Sequence, residues 1–157
     1  TPRKDCGDGE VLSESTVVYN GNEIHFVQMT CPNYLNVTAP TVQKRQVAQC
    51  SDGGCSTTCE NLGPYISDCQ AITYYLEGKS PQTFISPPGT YTAWSAYTCE
   101  YAFLNYDSVS YSVCYINLGY NAIISAEGCF GDYPAPSATA GAYCQSLGIP
   151  GNDWDIL

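Results

Sequence analysis

From Thr16 to Met29 the chain reads TVVYNGNEIHFVQM, with β-branched and aromatic residues on either side of Asn20-Gly21, a strong two-residue turn signal. This predicts a hairpin with Ile24 and Phe26 on one face and His25, Val27 and Met29 on the other. An irregular connection, CPNYLNVTAPTVQKRQVAQC, follows between Cys31 and Cys50. The period then becomes helical. Tyr65, Cys69, Ile72 and Leu76 recur at i, i+4, i+7 and i+11, with Pro64 suited to the first helical position and Gly78 to the stop. Thr83–Ser86 reads as a short strand, cut off by two prolines that a central strand would not tolerate. From Tyr91 to Asn105 the chain alternates as one strand rich in residues that favour sheets. Tyr91, Tyr97, Cys99, Tyr101 and Phe103 fall on one side of it, and Thr92, Trp94, Thr98, Glu100 and Leu104 on the other. Tyr97, Tyr101 and Phe103 are therefore expected in the core, opposite the helix stripe, and Trp94 at least partly exposed. After Asp107-Ser108 as N-cap, Val109, Val113, Ile116, Tyr120 and Ile123 mark a second helix, which Gly128 would end. Gly119 inside it costs about 1 kcal/mol relative to alanine. A short helix from Ser137 to Leu147 and a loose acidic end bearing Trp154 complete the pattern. The order of elements predicts an α+β fold, a compact αβα sandwich with helices on both faces of a small, mainly antiparallel sheet of three or four strands.

The 157 residues suit a single domain, 1–157, and contain no apolar run long enough to span a membrane. The chain opens on TPRKDCGDGE, as a processed, secreted protein would. Its ten cysteines are Cys6, Cys31, Cys50, Cys55, Cys59, Cys69, Cys99, Cys114, Cys129 and Cys144. An even, high count in a short chain points to an oxidising, extracellular environment and five disulfides, with the pairing left open. Cys50, Cys55 and Cys59 approach zinc-ligand spacing but lack a paired C-x2-C or a following histidine. The sequon at Asn36-Val37-Thr38 makes Asn36 a glycosylation candidate, and Lys44-Arg45 is a dibasic protease site or a solvated loop. Fifteen carboxylates face five lysines and arginines, a formal charge of −10. Nucleic acids and anionic membranes are excluded as partners on that ground.

Catalytic chemistry is thin. His25 is the only histidine and falls in a strand, so neither a two-histidine ribonuclease nor a conventional triad fits. Phosphate-binding glycine loops are missing. Asp68, Glu100, Asp107, Glu127, Asp132 and Asp153 offer carboxylate pairs for a small glycoside hydrolase, although sequence does not show spatial pairing. Asn152, Asp153 and Asp155 lack the donor pattern of an EF-hand calcium loop. The remaining chemistry is aromatic, amide and carboxylate, which suits recognition of sugars without metal or cofactor. A pyranose lays weakly positive C–H groups on an aromatic face, while fixed polar groups orient its hydroxyls. The candidate ligand-binding residues are Tyr91, Trp94, Asn105, Asp107 and Trp154. The same residue types also suit a protein–protein interface.

The segment 55–131 resembles the small secreted glycan-binding lectins of mushrooms, of the shaggy ink-cap type with a single αβα-sandwich domain. The resemblance lies in CSTTC (Cys55, Cys59), DCQAI (Asp68, Cys69, Ile72), TFISPPG, YTCEYAFLN (Cys99, Phe103, Asn105) and SVCYINLGYNAIISAEGC (Cys114, Ile124, Cys129). It covers about half the chain and implies metal-independent binding of N-acetylhexosamine-containing, often fucosylated glycans. Residues 1–49, a hairpin and loop, and 132–157 stand outside it as extensions. The chain is also similar in size and acidity to the non-catalytic small subunit of certain secreted mushroom laccases. That likeness implies an accessory role in complex with a larger secreted enzyme. A homodimer is a further expectation.

Overall fold

The computed structural model describes residues 6–35, 47–50, 55–59, 64–106, 109–130, 142–146 and 152–156; of β4, β9 and β10 it describes the backbone course. The elements in chain order are β1 (Val11–Tyr19), β2 (Asn22–Thr30), a 3-10 turn (Pro32–Leu35), β3 (Val47–Gln49), β4 (Cys55–Cys59) and α1 (Ile66–Glu77). There follow β5 (Thr83–Ser86), β6 (Thr90–Ala96), β7 (Cys99–Asn105), β8 (Tyr111–Cys114), α2 (Tyr115–Phe130), β9 (Ala142–Ser146) and β10 (Asn152–Ile156). The fold is α+β and disulfide-rich. A seven-stranded sheet runs β1-β2-β6-β7-β10-β9-β4, with every neighbouring pair antiparallel. A second sheet, β3-β8-β5, has one parallel and one antiparallel pair.

The first hairpin forms as its pattern predicts. Asn20 and Gly21 both take positive φ, 49° and 78°, the requirement of a type I′ turn, and Tyr19 pairs with Asn22. Ile24 and Phe26 pack on one side of β2, while Val27 and Met29 pack on the other. α1 buries Cys69, Ile72 and Leu76 of the expected stripe, but Tyr65, at the N-cap, is exposed. Asp68 lies in its first turn, where the N–H ends of the helix favour a negative charge.

Tyr91 to Asn105 departs from the single strand expected. It is itself a hairpin, with Ala96 paired to Cys99 and Tyr97-Thr98 as the turn. A two-residue turn reverses parity: even positions of β6 now share a face with odd positions of β7. Trp94 is thereby opposite Tyr101, and Thr92 opposite Phe103. One face carries Ile24, Trp94, Ala96, Cys99, Tyr101 and Phe103. α1, α2 and the small sheet cover it with Ile72, Leu76, Phe84, Val113, Leu118 and Ala122. The other face carries Tyr91, Ala93, Ala102 and Leu104, covered by Cys6, Cys31 and Tyr34 of the 3-10 turn. Both helices thus contribute to one cluster, and the expected sandwich with helices on both faces is not seen among the described residues.

The later elements differ further. The second helix starts at Tyr115, because residues 111–114 form β8, whose Val113 pairs with Phe84 of β5. Its buried side carries Leu118, Ala122 and Ala126 with Asn117, Asn121 and Ser125, whereas Ile116, Tyr120 and Ile124 are exposed. Gly119 lets α2 approach α1 closely: a Cβ there would lie 3.3 Å from the Leu76 Cβ. Residues 142–146, expected in a helix, form β9, and the expected loose tail supplies β10, which lies between β7 and β9. Three disulfides are described: Cys6–Cys31, Cys50–Cys114 and Cys69–Cys99. No described helix is long and apolar enough to cross a membrane. The disulfides are compatible with an extracellular protein.

Candidate functional site

Three of the residues expected to bind ligand, Tyr91, Trp94 and Asn105, are buried. Trp94 is 2% exposed and sits in the centre of an aromatic cluster. Its ring centroid is 5.1 Å from Phe26, 4.9 Å from Phe84 and 5.6 Å from Tyr115. The correction follows from the parity switch at the β6–β7 turn. Tyr91 is buried on the opposite face, and its hydroxyl donates to the Glu100 carboxylate. Asn105 is buried too. Its Nδ2 donates to the carbonyls of Ser86 (3.0 Å), Pro87 (3.1 Å) and Val109 (2.9 Å), which ties together the chain on both sides of the hairpin. These three residues hold the fold. Asp107 and Asn36 lie outside the described residues. Trp154 belongs to β10 by its backbone, opposite Phe103 and Cys144.

A different residue emerges at the β6–β7 turn. Tyr97, expected in the core, is 69% exposed and has φ +50°. Thr98 does not share the positive φ, so the turn has the II′ pattern, whose first central position is normally glycine. A bulky L-residue in left-handed conformation is an outlier, costing about 1–2 kcal/mol. Core burial does not offset that cost here, because the ring points to solvent.

The turn is held firmly from below. The Thr98 backbone N–H donates to Asp68 Oδ2 at 3.2 Å, and its hydroxyl donates to the same oxygen. The Thr98 hydroxyl also accepts from the Tyr65 backbone N–H at 3.0 Å. One residue further along each chain, Cys69 and Cys99 are joined, with 5.2 Å between their Cα atoms. The start of α1 and the tip of the hairpin therefore form one stapled corner. It presents Tyr97, the 42%-exposed Tyr65, Thr98 and the partly exposed Asp68 carboxylate. Sequence reasoning missed it because Ala96-Tyr97-Thr98-Cys99 contains no glycine, asparagine, aspartate or proline to announce a turn.

The other ionisable groups are occupied or dispersed. Lys79, the only lysine or arginine among the described residues, extends over the rings of Tyr75 and Tyr115 at 5.1 and 5.2 Å. His25 Nε2 lies 3.1 Å from Glu23 Oε1, and its Nδ1 is 2.8 Å from the Thr16 hydroxyl. Burial pushes the Tyr101 hydroxyl well above its ordinary value. That hydroxyl donates to the Cys69 carbonyl and shares a hydrogen bond with Thr73, 2.9 Å each. Among the described residues no three His, Cys, Asp or Glu side chains converge to hold a metal ion.

No family model, no curated protein and no solved structure matches this chain. Neither the lectin likeness nor the laccase-subunit likeness therefore gains a relative to support it.

Proposed function

We propose that this is a secreted, non-catalytic carbohydrate-binding protein whose ligand lies on the Tyr97 corner. One observation carries the reading: an exposed tyrosine occupies a strained turn position where glycine would be more stable. A ring placed at such a cost, over a disulfide and an Asp68–Thr98 clamp, is a pre-organised platform for the C–H face of a sugar. Tyr65 and Asp68 stand beside it to extend the aromatic surface and accept from hydroxyls. An acidic surface favours neutral glycans, such as N-acetylhexosamine-containing or fucosylated ones, over uronates and sialosides.

Tyr97→Gly tests the reading. It should raise stability by up to about 1 kcal/mol, because glycine relieves the left-handed strain. On a glycan array the same variant should bind at least about tenfold more weakly, as expected for losing a stacked ring. Wild-type protein that binds no glycan, or a Tyr97→Gly variant that binds as well as wild type, refutes it.

A second reading is an accessory subunit of a larger secreted oxidase such as a laccase. It is favoured by Ile116, Tyr120 and Ile124, an apolar stripe at i, i+4 and i+8 on the solvent side of α2. Native-mass measurement on protein from its natural source distinguishes the two: a subunit travels with a large partner, and a lectin elutes from a sugar column with free sugar.

A further inference from the structure

β1 is an edge strand of the large sheet. Among the described residues β1 pairs only with β2, and every residue from Val11 to Val18 is exposed, Val18 at 75%. Edge strands are usually blunted by lysine, proline or a covering loop, since their outer N–H and C=O groups template another strand. β1 has neither lysine nor proline; one irregularity between Val11 and Ser13 and the charge of Glu14 are what it has instead. Beside it, the sheet is hollowed into a groove of about 420 Å³ lined by Val11, Glu14, His25, Val27, Met29 and Ser95. Glu14 stands opposite Val27, with Thr16 and Val18 in the next positions of the same face, opposite His25 and Glu23. The Glu23 carboxylate already faces His25, while Glu14 has no ion pair among the described residues.

We propose that β1 is a docking edge for an extended segment of a partner protein bearing lysine or arginine at alternate positions. The segment adds as a further antiparallel strand, with its cations on the face of Glu14, one of them against that carboxylate, and its apolar residues on the other face, beside Val17. Main-chain hydrogen bonds hold the strand, and alternate side chains set its specificity. Charge decides the kind of partner. A second copy of this chain would bring another formal −10 to the same edge, whereas a cationic strand is drawn to it.

The test uses the intact protein and a blocked peptide of about ten residues alternating lysine and valine. Saturable binding is expected, with slowed amide exchange confined to β1 and its junction with β2. Glu14→Lys should weaken binding at least about tenfold at low salt while leaving the melting temperature unchanged, since the side chain is exposed. A peptide of the same sequence, N-methylated at every residue, should not bind, because it keeps the charge but has no N–H left to donate along either edge. Equal binding of the methylated peptide, equal binding to the Glu14→Lys protein, or protection away from β1 overturns the proposal. So does sedimentation showing that two copies of the chain already pair through this edge.

Discussion

Truncating Trp94 to alanine should unfold much of this protein's stability margin. The indole is 2% exposed, and three rings surround it at centroid distances between 4.9 and 5.6 Å. Replacing a buried aromatic with alanine costs about 3–5 kcal/mol, and each ring contact is worth about 0.5–1.5 kcal/mol beyond its area. The upper end applies, because Phe26, Phe84 and Tyr115 come from β2, β5 and α2 and cannot all collapse into one cavity. A loss near 5 kcal/mol compares with a total of about 5–15 kcal/mol for a domain. At this chain length it would lower the melting temperature by about 10–20 °C. Urea unfolding followed by circular dichroism, with disulfides intact, measures it. Trp94→Phe should lose less than half as much, since an aromatic ring remains in contact with the cluster. An alanine variant within about 1 kcal/mol of wild type would refute the buried cluster and restore the exposed platform inferred from alternation alone.

Two further outcomes follow from burial. Tyr101 is held protonated mainly by burial, so its folded pKa lies above the unfolded value near 10. The sign is that of a raised pKa: the contribution is complete below about pH 10 and is lost as pH rises beyond it. Tyrosinate absorbance should therefore show exposed tyrosines ionising first and Tyr101 only as the chain unfolds; reversible ionisation of all fourteen near pH 10 would contradict this. Among the described disulfides, mild reductant without denaturant should open Cys50–Cys114 first, because Cys50 is exposed while Cys6–Cys31 and Cys69–Cys99 are buried. Alkylation and mass spectrometry decide the order, and earlier labelling of Cys69 or Cys99 would count against it.

Local signals were legible where the chemistry is local. Asn20-Gly21 announces its turn, the period of α1 announces its buried stripe, and two prolines bound β5. Tyr97-Thr98 announces nothing, and reading 91–105 as one strand inverts the faces of β6 while leaving those of β7 right. That reading puts Trp94 at the surface and Tyr97 in the core, the reverse of their 2% and 69% exposure. α2 misled for another reason. Its buried side carries Asn117, Asn121 and Ser125, while Ile116, Tyr120 and Ile124 point outward, so a hydrophobic stripe marks the wrong face. An apolar stripe reports burial only when the apolar side is the covered one.

The C-terminal region offers the sharpest contrast between a pattern and its context. NDWDI has two aspartates in five residues, a composition that disfavours strands in isolation. Its place in the sheet is nevertheless central: β10 pairs with β7 along Asn105 to Tyr101 and with β9 along Gln145 to Ala142. Tertiary pairing overrides local preference, because the strand completes the ladder beside β7, whose residues from Tyr101 to Asn105 are all buried. A proline tests the difference between strand and loose tail. Every interior N–H of a central strand is bonded, so Asp155→Pro removes one ladder bond and leaves a carbonyl of β7 or β9 without its donor. The unmade bond alone costs about 1–3 kcal/mol, and the clash of the ring with the ladder adds to it. In a loose tail the same substitution would cost nothing measurable. Urea unfolding of Asp155→Pro should therefore show a loss of at least about 2 kcal/mol. A midpoint indistinguishable from wild type would remove β10 from the sheet, and with it the continuity between β7 and the β9-β4 pair.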